Sequence, residues 1–179
     1  MKPMRRFKQA LNNDDCKTVL SRNEFGVLCL KPDDDFPYGV PLNYSFVNDK
    51  IYLHSAKAGY KIDALNHNPN VCFTVIDTAI EDYESYSEFF RSVIVFGTAK
   101  IIDDRDEKIK SIKIFAEKLS PGNPRLNEWI ERFLDKTSLI EIDIDHFTGK
   151  ESIEYVHDDV HLNREKPDIS GKNTVISSN

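Results

Sequence analysis

Hydrophobic residues along this chain recur at two periods, and the switches between them divide it into short strands and helices. Phe25-Gly-Val-Leu-Cys-Leu30 is a compact apolar run of strand length, and residues 31–37, with two prolines and three aspartates, read as a turn. The pattern predicts a longer strand over 38–47, a tight hairpin connection at Asn48-Asp49-Lys50, and another strand over 51–55. From Ala58 to Asn68 the period changes, with Ile62 and Leu65 three apart on a short helix. Pro69 stops that helix, because the residue before a proline is pushed towards extended geometry. Residues 70–77 are β-branched and read as a strand, 78–90 are acidic and aromatic without clean periodicity, and 91–102 read as a strand again. Residues 103–106 mark a turn and a helix start. Ile109, Ile112, Phe115, Ala116 and Leu119 then form a core-facing helical stripe. Pro121-Gly-Asn-Pro124 breaks the chain before a second helix over 126–134, whose Trp129 and Phe133 are expected to pack as core. Over 138–147, Leu139, Ile140, Ile142 and Ile144 interleave with Glu141, Asp143 and Asp145, a strand with one wet face.

The two ends carry weaker patterns. Residues 1–13 read as a polar lead-in with little to bury, and Asp14-Asp15 are expected to cap a short helix through Cys16, Val19 and Leu20. Residues 151–179 read as a loosely held polar tail. About six strands, a few short helices and hairpin-type connections predict a mainly β (α+β) domain over 1–150. Its expected form is a closed or partly closed antiparallel barrel with peripheral helices.

Composition narrows the options. A length of 179 residues, 40% hydrophobic and 30% charged, suits one globular domain. No apolar run approaches the roughly 18 residues that span a bilayer. The start, MKPMRRFKQALNNDD, has basic residues but no apolar stretch behind them, so a cytoplasmic protein without a secretory signal is expected. With 24 basic and 30 acidic residues the net charge is −6, which disfavours nucleic acid as a partner, though a local basic cluster could still hold one phosphate. The three cysteines, Cys16, Cys29 and Cys72, are odd in number, widely spaced and without a CxxC pair. Reduced, mostly buried thiols are expected rather than a disulfide framework or a zinc site. His67, His146, His157 and His161 show no metal-ligand spacing beside an acidic set, and no metal is expected.

Three segments carry candidate chemistry. In Gly39-Val-Pro-Leu-Asn-Tyr44, Pro41 cannot donate to a sheet ladder and implies an edge or a bulge. The backbone of Leu42 and Asn43 is then free to face a ligand, and the Asn43 amide suits the edge of a planar heterocycle. A kinked strand with a solvated Asn fits the same residues. In Tyr52-Leu-His-Ser-Ala-Lys-Ala-Gly-Tyr-Lys61 a strand end runs into a helix N-terminus, where N–H groups and the helix dipole favour an anion. Ser55, Lys57, Gly59 and Lys61 could form a monophosphate cradle, while a Ser-capped helix with solvated lysines explains them equally. In Phe90-Arg-Ser-Val-Ile-Val-Phe-Gly97, Arg91 is either a two-pronged ligand for phosphate or a carbonyl edge, or a surface charge. Tyr83, Tyr86, Phe89 and Phe90 could wall a pocket or simply cover a barrel mouth.

In order, PLNY, then YLHSAKAGYKID followed by NP, then RSVIVFGTA, and later the strand before HFTGK, resemble the pyridoxamine-phosphate-oxidase-like flavin proteins. The likeness is greatest to the branch that includes nitroimidazole-resistance proteins, and it runs from about Val19 to Lys150. It implies a split β-barrel, a homodimer, and FMN at the subunit interface, with FAD as the alternative. It also implies that Val40, Pro41, Leu42, Asn43 and Tyr44 lie along the flavin ring. His54, Ser55, Ala56, Lys57, Gly59 and Lys61 would hold the ribityl phosphate, and Arg91 and Ser92 would also touch the flavin. The function implied is a flavin-dependent reductase of small acceptors such as nitroaromatic compounds. His54 would donate protons, since an unperturbed imidazole titrates near 6.5. The arginine-rich phosphate motif of the oxidase proper is missing, which argues against vitamin B6 oxidation. The alternatives are a flavin- or haem-binding barrel without turnover and a partner-binding domain that has lost the ligand.

Overall fold

The computed structural model describes residues 3–83, 86–153 and 155. After a short 3-10 turn at Phe7–Gln9, the described chain runs β1 (Ala10–Leu11), α1 (Asn13–Arg22), β2 (Phe25–Leu30), β3 (Tyr38–Asn43), β4 (Ser45–Val47) and β5 (Lys50–Ala56). It continues through α2 (Tyr60–His67), β6 (Asn70–Asp82), β7 (Ser87–Ile102), α3 (Arg105–Leu119), α4 (Leu126–Phe133) and β8 (Thr137–Glu151). All strand pairs are antiparallel, in the order β3-β2-β6-β7-β8-β5-β4, with β1 added beside β8.

The two ends of that order, β3 and β4, are consecutive in the chain. Residues 38–47 are therefore not one strand, as the sequence pattern predicts, but two, broken at Tyr44. Tyr44 is fully buried; its N–H donates to the Glu24 carbonyl (2.8 Å) and its hydroxyl to the Leu20 carbonyl (2.7 Å). One bent stretch thus supplies both edges, and the sheet curls into the expected antiparallel split β-barrel of α+β class. The Val47–Lys50 connection is a two-residue turn with Asn48 and Asp49 both at positive φ (53° and 58°), the geometry that Asn and Asp tolerate and that matches strand twist.

Inward-facing residues at period two fill the barrel: Leu28 from β2, Phe73 and Val75 from β6, Val93 and Val95 from β7, Ile140 and Ile142 from β8. Helix α1 plugs it with Cys16, Val19 and Leu20. Its cap is Asn12, whose side chain accepts from the Asp15 N–H (2.9 Å); Asp14 and Asp15 sit inside the first turn instead of capping it. The C-terminal end of α1 is pinned to β6, where Arg22 and Asn23 both bond the buried carboxylate of Asp77 beside a bulge between Ile76 and Thr78. A second apolar cluster lies under α3 and α4, formed by Ile102, Ile112, Ile130, Leu134 and Leu139. Two lysines of α3 bridge to other helices: Lys108 donates to the Leu134 carbonyl (2.5 Å) at the end of α4, and Lys118 to the Asn23 carbonyl (3.0 Å) at the end of α1.

Several boundaries differ from the sequence pattern. The polar lead-in contributes β1, paired with β8 at Lys150 and Gly149, and buries Gln9. Eight strands are present among the described residues instead of about six. Part of the acidic, aromatic stretch 78–90 is strand, because cross-strand pairing from Thr78–Arg91 to Asp82–Ser87 supplies the order that local periodicity lacks. Past residue 150, Glu151 ends β8, and Ser152 and Tyr155 are buried; the rest of the expected tail, including His157 and His161, lies outside the described residues. Of the three free thiols only Cys16 is buried, and burial pushes its pKa up to about 11. Cys29 and Cys72 are half-buried and sit directly opposite each other on β2 and β6.

Candidate functional site

Strand β3 is an edge, as Pro41 requires, and it presents its second backbone edge to something other than β2. Val40 and Leu42 turn their side chains onto the core, while Pro41 is exposed and Asn43 half-buried. Tyr44 is core, with its hydroxyl committed to Leu20. What β3 offers a ligand is therefore backbone and the Asn43 amide.

Strand β5 ends at the same place. Its inward residues Ile51 and Leu53 join the barrel core, so His54 faces the other way, towards α3, and meets Phe115 edge-on (5.0 Å between centroids, 90°). Ser55 is buried and its hydroxyl donates to the Ala56 carbonyl (2.9 Å), so it neither caps α2 nor reaches outward. Ala56, Lys57 and Gly59 are exposed. Gly59 has φ 118°, a backbone that L side chains avoid, and it is the N-cap of α2 with no side chain capping the helix. Lys61, in the first turn of α2, is half-buried, and burial lowers its pKa from the ordinary lysine value. His54 is held below the ordinary imidazole value, first by burial and then by the Lys61 charge. An ordinary imidazole value, expected from the sequence, does not hold in the fold, which favours the neutral form of His54.

His54 and Asn43 open onto a cavity of about 400 Å³ between the sheet and the α3–α4 pair. Its other walls are Phe115, Ala116 and Ser120 from the end of α3, Asn123 and Arg125 from the connection, and Leu126 and Trp129 from α4. Residues after Ala116 carried no site signal in the sequence: the Pro-Gly-Asn-Pro run read only as a break. Trp129 is not core, being 37% exposed at the cavity wall and packed on Phe133 (5.2 Å).

Arg91 and Ser92 lie elsewhere. Register places His54 level with Leu139 and Ile102, whereas Arg91 pairs with Glu151, eleven residues back along β7. At about 3.4 Å per residue that is on the order of 37 Å of strand. Arg91 is not a surface charge: it is 4% exposed, its Nε donates to Glu151 (2.9 Å), and its guanidinium covers the Tyr155 ring at 4.0 Å. Ser92 is half-buried beside Lys150. Tyr83 and Tyr86 are exposed and stack on each other, Phe89 packs on Tyr155, and Phe90 lies under Lys150, all remote from His54. Among the described residues there is no cluster of three or more His, Cys, Asp or Glu that could hold a metal, and no helix is long and apolar enough to cross a membrane.

Solved structures share this fold. A FAD-binding protein of Mesorhizobium loti is 25% identical, with a TM-score of 0.61 over 80% of this chain and 96% of that one. A candidate 5-nitroimidazole antibiotic resistance protein of Bacteroides thetaiotaomicron is 23% identical, with a TM-score of 0.66 over 79% and 86%. A conserved hypothetical protein of Mycobacterium tuberculosis is 14% identical, with a TM-score of 0.73 over 92% and 99%. A comparison with curated proteins yields no match. A family profile described as pyridoxamine 5'-phosphate oxidase matches residues 12–151, spanning the bent β3–β4 stretch, the β5–α2 turn and the whole of β8. The chain therefore belongs to the pyridoxamine 5'-phosphate oxidase-like family.

Proposed function

We propose that the chain binds a flavin mononucleotide, as a homodimer in the cytoplasm, and reduces a small acceptor such as a nitroaromatic compound. The observation that carries this reading is the β5–α2 turn. Lys57 and Lys61 stand at a helix start that no side chain caps, and Lys61 depresses the His54 imidazole. Two positive groups in a partly desolvated turn are the donor set an anion such as a flavin phosphate needs. The membership of the chain in a flavin-associated family and its likeness to FAD-binding proteins support the same cofactor class. FAD fits the same cradle if its adenylate projects outwards.

A bound flavin would accept and deliver electrons; the chain would supply position and hydrogen-bond donors. The free backbone edge of β3 and the Asn43 amide hydrogen-bond a planar ring edge, and Lys57 and Lys61 hold the phosphate. His54, packed edge-on against Phe115 at the cavity lining and with its pKa lowered by burial and by Lys61, would offer its imidazole as a hydrogen-bonding group to a ligand there.

The distances between the two flavin-contacting segments favour a homodimer, if Ser92 as well as His54 is to touch the flavin. One flavin cannot reach both His54 and Ser92 of a single sheet, so a second copy would bring its Ser92 end to the first copy's cradle. The outer sheet face is suited to that contact, since Phe25 and Ile76 are 68% and 61% exposed there, flanked by Ile94 and Phe96.

The purified protein should be yellow. Acid release followed by mass measurement should give FMN, and a reduced nicotinamide should bleach the flavin band with a nitroaromatic present to reoxidise it. A flavin spectrum that no donor bleaches would make the chain a flavin binder without turnover. A Soret band would identify haem, and the solved structure of a FAD- and haem-binding protein from Mycobacterium smegmatis keeps that outcome in view. Colourless protein that takes up no added flavin overturns the proposal.

A further inference from the structure

The wall of the cavity furthest from β5 is not needed to hold a flavin tail, yet it has a specific chemistry. Among the described residues no aspartate or glutamate lines the cavity, in a chain with 30 of them. Its ionisable lining is Arg125 and His54. Arg125 is exposed, and its guanidinium has no hydrogen bond or ion pair among the described residues; only its backbone is used, its N–H donating to Asn123 Oδ1 (2.9 Å). The same cavity is lined by aromatic and aliphatic side chains, Phe115 from α3 and Leu126 and Trp129 from α4, with Trp129 one helical turn beyond Arg125. A Trp 37% exposed on a cavity wall leaves apolar area in water that a stacked ring would cover.

The wall is also held in place. Ile130 and Leu134 anchor α4 in the second apolar cluster, and the Lys108 ammonium fastens the Leu134 carbonyl. The Asn123–Arg125 turn fixes the start of the helix. Trp129 and Arg125 thus present a preformed pairing of a flat apolar surface and an unsatisfied cation, in a volume of about 400 Å³ that suits a small molecule.

We propose that this cavity binds a planar aromatic carboxylate, its ring against Trp129 and Phe115 and its carboxylate on the Arg125 guanidinium. That such a ligand would be the reactant of a bound flavin rests on the function proposed above; the seat itself does not need the flavin.

Trp129 is the single tryptophan of the chain, so its fluorescence, excited where tyrosine is silent, reports this wall alone. Titration of the flavin-free full chain with para-nitrobenzoate should quench it saturably. Nitrobenzene and cyclohexanecarboxylate, each lacking one half of the pharmacophore, should bind at least about tenfold more weakly, the latter measured by displacement. Arg125→Ala should weaken para-nitrobenzoate by on the order of tenfold and leave nitrobenzene unchanged, and Arg125→Lys should restore part of the loss. Equal binding of the saturated and aromatic acids, or an Arg125→Ala variant with unaltered affinity, overturns the proposal. So does one-for-one competition between FMN and para-nitrobenzoate, which would make the cavity the seat of the flavin ring. A chain that binds the aromatic acid but takes up no flavin refutes the flavin function and leaves this site standing.

Discussion

Replacing Lys61 by methionine keeps most of the side chain's length and apolar stem and removes its charge. Lys61 is half-buried, and burial already lowers its pKa, so the ammonium is partly desolvated before any ligand arrives. A charge-assisted contact from such a group to a phosphate is worth about 1.5–3 kcal/mol, which corresponds to a roughly 10–150-fold loss of FMN affinity. Riboflavin, which has the ring and ribityl chain without the phosphate, supplies the control. Quenching of flavin fluorescence on binding should show that wild-type protein prefers FMN to riboflavin, and that Lys61→Met loses this preference with riboflavin affinity unchanged. A second readout comes from His54. Lys61 is one of the two causes that hold its pKa down, burial being the larger, so the imidazole resonance of Lys61→Met should titrate at higher pH than wild type, though still below an exposed histidine. The wild-type preference for FMN should also fade at alkaline pH as Lys61 loses its proton, at a lower pH than an exposed lysine would allow. Unchanged FMN affinity would refute the cradle. Equal losses for FMN and riboflavin would place Lys61 in the architecture of the turn and not on the phosphate.

His54→Ala should lower turnover more than flavin affinity if the imidazole serves the acceptor; equal losses would assign it to binding. Because its folded pKa lies below the ordinary value, the acid limb of the pH–rate profile should fall at lower pH than for a free histidine. Asp77→Ala leaves Arg22 and Asn23 facing an empty site and should cost about 3 kcal/mol, read as a loss of several degrees in Tm. Burial alone would raise the Asp77 pKa, but its bonds from Arg22 and Asn23 override that and hold it below the usual carboxylate range. Its contribution is therefore complete above the unfolded value of about 3.9 and is lost as pH falls through the lower folded value, so the Asp77→Asn variant should show a flatter acid-unfolding curve. Gly97→Ala puts a Cβ 2.1 Å from the Asp143 carbonyl oxygen at the β7–β8 bulge, and backbone there cannot yield cheaply. It should destabilise by about 3 kcal/mol in a denaturant melt without changing FMN preference in the protein that remains folded.

The amino-acid sequence by itself determined the elements whose signals are local. A compact apolar run marked β2, period-two alternation the body of β8 and helical spacing α3, and Pro69 ended α2, because pleat and helix geometry act on neighbours in the chain. The motif order around Asn43, His54 and Lys61 was equally legible, since strand ends and helix starts bring near neighbours together. The break at Tyr44 was not, because it follows from a buried hydroxyl reaching Leu20 on another element. Nor was the strand continuation from Thr78 to Asp82, which exists through cross-strand pairing, or the facing of Cys29 and Cys72 across two strands 43 positions apart. The fold also lowered the His54 pKa below the ordinary imidazole value, and it separated Arg91 from the site the motifs share. It brought Trp129 and Arg125, more than 70 residues further on, into the same cavity lining as His54. Register, burial and the packing of α3 and α4 on the sheet decided these features, and all three depend on contacts between residues that the linear pattern keeps far apart.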